Sequence, residues 1–242
     1  MYLNYDIKHK SGKRWIFVPN DECRAYGERL VDECTSKIKF PDHYYHYVSG
    51  GHVAALHAHI ENRFFFKIDL ENFYYTIRRN RVAAALSSFG ISKARDKAKW
   101  SCVKNPYSNE GYVLPIGFVQ SPILSSTVVL RSPLEKAIQQ SLSNGIVISM
   151  YFDDFIGSSN DLIKLCAAFK DINKACADSN FPLNLSKTVR PTLSLAAFNC
   201  DLRRGFAAVS TSRVDEFYSV ERTPKSQQGF EDYRKRVTRQ NS

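Results

Sequence analysis

Apolar and polar positions change period several times along the chain, and each change predicts an element. Trp15-Ile16-Phe17-Val18 is a short apolar run that follows the basic, glycine-containing stretch Lys8-His9-Lys10-Ser11-Gly12-Lys13-Arg14, which reads as a turn into a strand. From Asn20 to about Lys39 the period becomes helical, with Leu30, Val31, Cys34 and Ile38 on one stripe. An aromatic, His-rich connector, Tyr44-Tyr45-His46-Tyr47, leads to a short helix from Val53 to Ile60. Phe64-Phe65-Phe66-Lys67-Ile68 then reads as a strand ending in Asp69. A helix starts near Asn80, carries Val82, Ala85, Leu86 and Phe89 at i, i+3, i+4 and i+7, and stops at Gly90. Pro115 and Gly117 mark a loop, with Ser121 as N-cap and Pro122 in the first helical position of the next helix. That helix runs through Leu130, and Pro133 should break or kink it. Ile146-Val147-Ile148 and Phe155-Ile156 bracket a tight turn, as in a hairpin. Asn160 is expected to cap a helix with Leu162, Leu165, Cys166, Phe169 and Ile172 on one side. Phe181 to Thr188 is a turn into a strand, and Leu193 to Leu202 is strand-like. The order predicts an α+β fold, an antiparallel sheet with helices on one face.

The chain has 242 residues, enough for a sizeable core. With 43% hydrophobic residues it is expected to be globular. No run approaches the ~20 apolar residues of a membrane span. The chain opens on mixed residues without a charged-then-apolar leader, so a cytoplasmic location and no membrane partner are expected. The six cysteines form no C-x-x-C pair, and Cys166 and Cys176 are expected in the core. His57 and His59 are two apart, which suits no zinc spacing. Net charge is +10, from 34 basic and 24 acidic residues, which favours a polyanionic partner.

The informative chemistry lies in Tyr151-Phe152-Asp153-Asp154-Phe155. A lone acidic pair at a hairpin tip is usually a solvated turn. Here a second apolar strand also ends in a carboxylate, Asp69. If the strands are neighbours, three carboxylates meet and raise one another's pKa. Two magnesium ions about 3.5–4 Å apart would resolve that repulsion and make a phosphoryl-transfer centre.

Four motifs in order carry a resemblance. They are Asp69 with Phe73-Tyr74, then Pro115-x-Gly117-x-x-x-Ser121-Pro122, then Tyr151-x-Asp153-Asp154, then Asn184-x-x-Lys187-Thr188. The set resembles the palm of a reverse transcriptase, from about Lys10 to Cys200. It is closest in flavour to the bacterial defence-associated (unknown-group and abortive-infection) enzymes, which are related to retron and group II intron enzymes. Two departures point to that branch: Ile116 where many relatives have Gln, and Phe152 where many have a small or aliphatic residue.

The resemblance implies a right-hand polymerase with fingers and palm and a short or minimal thumb. Residues 1–62 would be a fingers-like segment, 63–205 the palm with a fingers insertion at about 79–113, and 206–242 a short basic, thumb-like tail. It implies RNA-directed DNA synthesis by two-metal nucleotidyl transfer, in anti-phage defence. Asp69, Asp153 and Asp154 would hold two Mg2+ ions, with Mn2+ as a substitute, and Lys187 would protonate the departing pyrophosphate. Lys13, Arg14, Leu70, Tyr74, Gly117 and Gln120 would line the nucleotide site, with Tyr74 as a steric gate against the ribose 2′-hydroxyl. The partners implied are an RNA template such as a structured non-coding RNA, dNTPs and a DNA product. A partner protein or a second copy could supply thumb function. Untemplated or protein-primed synthesis, and a catalytically silent RNA-binding scaffold, stay open as alternatives.

Overall fold

A computed structural model describes residues 4–108 and 110–242. These fall into two compact units. One takes the residues through Phe40, with Glu71–Glu135 and Cys176–Pro182. The other takes Pro41–Leu70, Lys136–Ala175 and Leu183–Ser242. These boundaries differ from those expected at 62/63 and 205/206. Residues 41–62 and 206–242 join the sheet-bearing unit because they fill its core: Leu56 and Ile60 pack with Phe65, Ile156 and Leu202, and Val237 closes the cluster. Among the described residues no helix is long and apolar enough to cross a membrane.

In the first unit, strands Tyr5–Ser11 and Arg14–Pro19 form an antiparallel hairpin. The first of these strands is exposed along nearly its whole length, so it shows no apolar alternation that sequence reading could find. Helix Asp21–Lys37 starts at Asn20, whose side chain accepts the Cys23 N–H at 2.8 Å. Helix Arg79–Ser88 buries Val82, Ala85 and Leu86, as its period predicts. Helix Ala94–Ser101 follows in a stretch that carries no helical period, because its buried face is made of the small residues Ala94, Ala98 and Ser101. Phe17, Cys23, Tyr75, Val103, Val113 and Phe118 form one core cluster of this unit.

The next helix, Ser121–Leu130, begins differently from expectation. Ser121 is its first residue, and its hydroxyl donates backward to the Pro115 carbonyl at 2.7 Å instead of capping. Pro133 ends one helix by opening another, Pro133–Ser143, as proline at a first helical turn allows.

The second unit holds a four-stranded antiparallel sheet ordered Val147–Tyr151, Asp154–Ser159, Phe64–Asp69, Val189–Thr192. Register fixes its faces, since directly opposed residues share a face. Phe65, Lys67 and Asp69 share one face with Ser158, Ile156 and Asp154. Phe66 shares the other with Gly157, and there Phe66 meets Phe169 edge-on from helix Leu162–Asp178. Helix Gly51–His59 covers the far half of the first face. Its His59 is fully buried, with Nδ1 2.7 Å from Ser158 Oγ and Nε2 2.8 Å from Ser149 Oγ. Burial pushes His59 down to about 3, so it stays neutral there.

Helix Leu162–Asp178 buries Leu165, Ala168, Ile172, Ala175 and Cys176. That stripe is rotated from the one expected. Cys166 is exposed, while the other five cysteines are buried. The helix is capped by Asp161, whose carboxylate accepts from the Ile163 and Lys164 N–H groups, and not by Asn160, which accepts the Arg63 N–H. A three-stranded antiparallel sheet, Ser194–Ala197, Cys200–Arg203 and Phe206–Val209, resolves the strand-like region into a meander. Helices Thr211–Tyr218 and Pro224–Thr238 follow, and Phe217 stacks on Phe230 at 3.9 Å.

Gly157 lies mid-strand because the Phe66 ring occupies the space a Cβ would need. Gly157→Ala should therefore cost about 1–3 kcal/mol by overpacking, read as a lowered urea midpoint at unchanged m-value. An unchanged midpoint would mean that the ring can move aside freely.

Candidate active site

The antiparallel register pairs Asp69 directly with Asp154 at the end of two central strands. Asp153 precedes Asp154 in a two-residue turn, and its carbonyl accepts the Leu70 N–H at 2.9 Å. Thus the turn carrying one carboxylate is bonded to the strand end carrying another. Phe152, the first turn residue, has φ +55°, a left-handed conformation that is uncommon for a bulky side chain. Such a conformation persists only where the surroundings hold it. His46 provides that support. Its Nδ1 lies 3.2 Å from the Phe152 N–H as acceptor, and its ring lies 4.3 Å from the Phe152 ring, tilted by 30°. Burial pushes His46 down to about 4, so the ring is neutral at neutral pH and carries one bare nitrogen able to accept.

The fourth expected residue also arrives here. The Asn184 N–H donates to the Asp69 carbonyl at 2.8 Å, and a turn carries Lys187 back over the strand end. Its Nζ stands 3.4 Å from Asp69 Oδ2. Asp69 is buried, whereas Lys187 is half exposed.

Sequence reading missed Lys67. Its Nζ lies 3.2 Å from Asp154 Oδ1, and only 13% of its side chain is exposed. The signal was available, because Lys67 stands two residues before Asp69 and so points to the same face. Asp154 is pushed up to about 6, first by burial, with Asp153 and Asp69 adding to the rise and Lys67 opposing it. Among the described residues no three His, Cys, Asp or Glu side chains converge tightly enough to cage a metal. The donors that do gather are carboxylate oxygens, which suit a hard cation such as Mg2+ or Mn2+. Two lysine ammonium groups already stand against Asp69 and Asp154.

The remaining expected residues belong to the first unit, Leu70 excepted. Lys13 and Arg14 are exposed at the hairpin turn. Tyr74 is partly exposed in helix Phe73–Thr76, while its neighbours Phe73 and Tyr75 are buried. Gly117 has φ +111°, and a Cβ there would overlap the Phe17 carbonyl. Its close approach is thus to the Arg14–Pro19 strand, where the Phe17 N–H donates to Ile116 O at 2.9 Å.

Gln120 requires a correction. It is fully buried, with its amide against Gly27 of helix Asp21–Lys37 and 3.4 Å from the Ser101 hydroxyl. A side chain committed there does not reach a nucleotide. Leu70 is likewise buried, and its N–H is taken by the Asp153 carbonyl.

Comparison with known proteins identifies the family. Residues 7–195 match the reverse transcriptase (RNA-dependent DNA polymerase) family. The chain belongs to that family. The curated Retron Ec73 reverse transcriptase of Escherichia coli is 27% identical over 168 residues, covering 64% of this chain and 52% of the relative. The chain therefore spans about half the length of that reverse transcriptase. Among solved structures, a foamy viral protease-reverse transcriptase in complex with double-stranded DNA superposes with a TM-score of 0.55 at 16% identity, covering 91% of this chain and 33% of that one. Apo telomerase from Candida tropicalis, truncated from its C-terminal domain, gives 0.54 at 12% identity, covering 81% and 52%. These structures show the shared fold.

Asp154 generates a pH prediction for the metal-free protein. It takes up a proton near pH 6 when folded, against 3.8 for its ordinary value. Between those values the folded state binds more protons, so this group's contribution to stability falls as pH rises through the window. The loss should be on the order of 2–3 kcal/mol by pH 7. Asp154→Asn should lack that component when urea midpoints are followed against pH. Parallel profiles for the two proteins would contradict it.

Proposed function

We propose that this chain carries the polymerising centre of an RNA-directed DNA polymerase, joining dNTPs into DNA on an RNA template. The observation that carries the reading is the pairing of Asp69 with Asp154, with Asp153 in the adjoining turn and Lys187 against Asp69. Asp69 and Asp153 would be the main ligands of two Mg2+ ions, with Asp154 beside them. Bound there, the ions would supply charge neutralisation for the triphosphate and a lowered pKa for the primer hydroxyl. The chain's own residues do the rest. Lys67 holds Asp154 in place from the buried side. Lys187, half exposed beside Asp69, is suited to give a proton to departing pyrophosphate. Lys13 and Arg14 are exposed donors of the kind that grip a triphosphate. Tyr74, partly exposed between two buried aromatics, would exclude a ribose 2′-hydroxyl.

The wider setting belongs to the same proposal. The net charge of +10 favours a nucleic-acid partner, and a structured non-coding RNA would serve as template. The retron relative and the family flavour support a role in bacterial anti-phage defence, in the cytoplasm.

A second reading is favoured by the two ion pairs. Lysines at Asp69 and Asp154 already offset the carboxylate repulsion, as a silent RNA-binding scaffold would require. One experiment separates the two. Protein purified without nuclease treatment should incorporate labelled dNTPs with magnesium, and Asp153→Asn should lower the rate by about a hundredfold or more. Plaque counts should rise in parallel if synthesis underlies defence. Retained phage protection in Asp153→Asn would favour the scaffold. In the same assay Tyr74→Ala should raise ribonucleotide use relative to dNTPs on the order of tenfold. Unchanged sugar selection would remove Tyr74 from the gate.

A further inference from the structure

In the first unit a recess of about 360 Å³ opens where helices Arg79–Ser88, Ser121–Leu130 and Pro133–Ser143 meet the end of helix Leu162–Asp178. Its size falls at the lower end of small-ligand pockets, ~300 Å³ and upward. Every residue that lines it belongs to this unit, whereas Asp69, Asp153 and Asp154 belong to the other. It is therefore not part of the carboxylate site.

Arg81 is the informative residue. Its guanidinium donates to the Ser179 carbonyl at 2.8 Å and to the Thr76 carbonyl at 3.4 Å, and it lies 4.4 Å from the centre of the Phe181 ring. Ser179 is itself fixed, because its hydroxyl accepts the Leu134 N–H at 2.9 Å. These contacts set the plane of the guanidinium but bring no negative charge. Burial pushes Arg81 below its ordinary value, and no carboxylate opposes that shift. A charge drawn away from water is normally paired. A guanidinium has five N–H donors; the two carbonyls take two and leave three for a ligand.

The other lining groups narrow the ligand. Arg131, exposed just after helix Ser121–Leu130, adds a second cation, and Asp178 is the single acid. Two cations against one carboxylate favour a ligand of net negative charge over a zwitterion such as a free amino acid. Arginines suit phosphate, which accepts from the guanidinium fork. Asp178 can accept from an amino group on a base edge, and the Asn180 amide both donates and accepts. Asn180 is held at φ +53°, a conformation asparagine tolerates better than most residues. Ala84, Val128 and Pro133 give the apolar wall on which a flat ring can lie. We propose that this recess binds a nucleoside monophosphate, with its phosphate on Arg81 and Arg131 and its base edge on Asp178. The proposal does not rest on the polymerising reading of the other unit.

The test uses the full chain in buffer with EDTA, which removes metal-dependent triphosphate binding. Equilibrium dialysis follows radiolabelled AMP, GMP, CMP and UMP, with inorganic phosphate for comparison. At least one nucleotide should bind with a Kd below about 1 mM. Arg131→Ala, an exposed position that leaves the core untouched, should weaken that binding by about tenfold or more. Arg81→Lys keeps the charge but loses the fork and should weaken it by about the same factor. Asp178→Ala should weaken the nucleotide while leaving inorganic phosphate unchanged or tighter, since it removes a negative charge. Lys187→Ala, beside the carboxylates, should change nothing. Circular dichroism checks that each variant is folded, and Arg131→Ala and Asp178→Ala carry the test if Arg81→Lys is not. No nucleotide bound below about 1 mM would overturn the proposal, as would an affinity unchanged in a folded Arg81→Lys, Arg131→Ala or Asp178→Ala variant. Weakened binding in Lys187→Ala would overturn it too, by placing the nucleotide at the carboxylates. Inorganic phosphate bound as tightly as every nucleotide would do the same, by removing the base from the site.

Discussion

Everything in the carboxylate-bearing unit follows from one antiparallel register. Pairing Asp69 with Asp154 puts two acidic groups side by side at a strand end, with a third in the adjoining turn. Like charges at that spacing oppose folding unless something answers them. The fold answers with Lys67 from within the same face and Lys187 from a turn bonded to the Asp69 main chain. A register slip of one residue would send Asp69 and Lys67 together to the opposite face, where Phe66 and Phe169 pack. The phenylalanines and the glycine opposite Phe66 thus hold the chemistry in place although none takes part in it.

The hairpin shows how such a site tolerates local strain. Phe152 sits in a left-handed conformation that a glycine would adopt at no steric cost. The neutral His46 offsets this by accepting the Phe152 N–H and lying against its ring. The main-chain bond from Leu70 to Asp153 fixes the other side of the turn. A residue more than a hundred positions away in the chain therefore sets the geometry of the acidic tip.

Most of this was legible in the sequence where side-chain period and chemistry coincide. Strand Phe64–Asp69, the Asp153 turn and the helix with Val82, Ala85 and Leu86 all announce themselves by pattern. So does Lys187, by its motif. Legibility failed where the informative contact is distant or the local signal is weak. Gln120 looks like a pocket residue until Gly27, far along the chain, is seen to receive its amide. Gly117 reads as a ligand-facing glycine, yet it is the Phe17 carbonyl that forbids a side chain there. Asn160 and Ser121 are good capping residues by type, but their hydrogen bonds go elsewhere, to Arg63 and Pro115. Strand Tyr5–Ser11 and helix Ala94–Ser101 carry too few large apolar residues for period reading, chiefly Ile7 in the one and Trp100 in the other.

The distribution of thiols has a practical side. Five of the six cysteines are buried, and burial pushes the thiols of Cys23 and Cys34 up to about 11 and those of Cys102 and Cys176 up to about 12. Thiols so shielded yield little thiolate for alkylation at neutral pH. Cys166, on the outer side of helix Leu162–Asp178, is exposed. A maleimide dye applied to the native protein will attach there first, giving a single fluorescent handle on a rigid helix without engineering the chain.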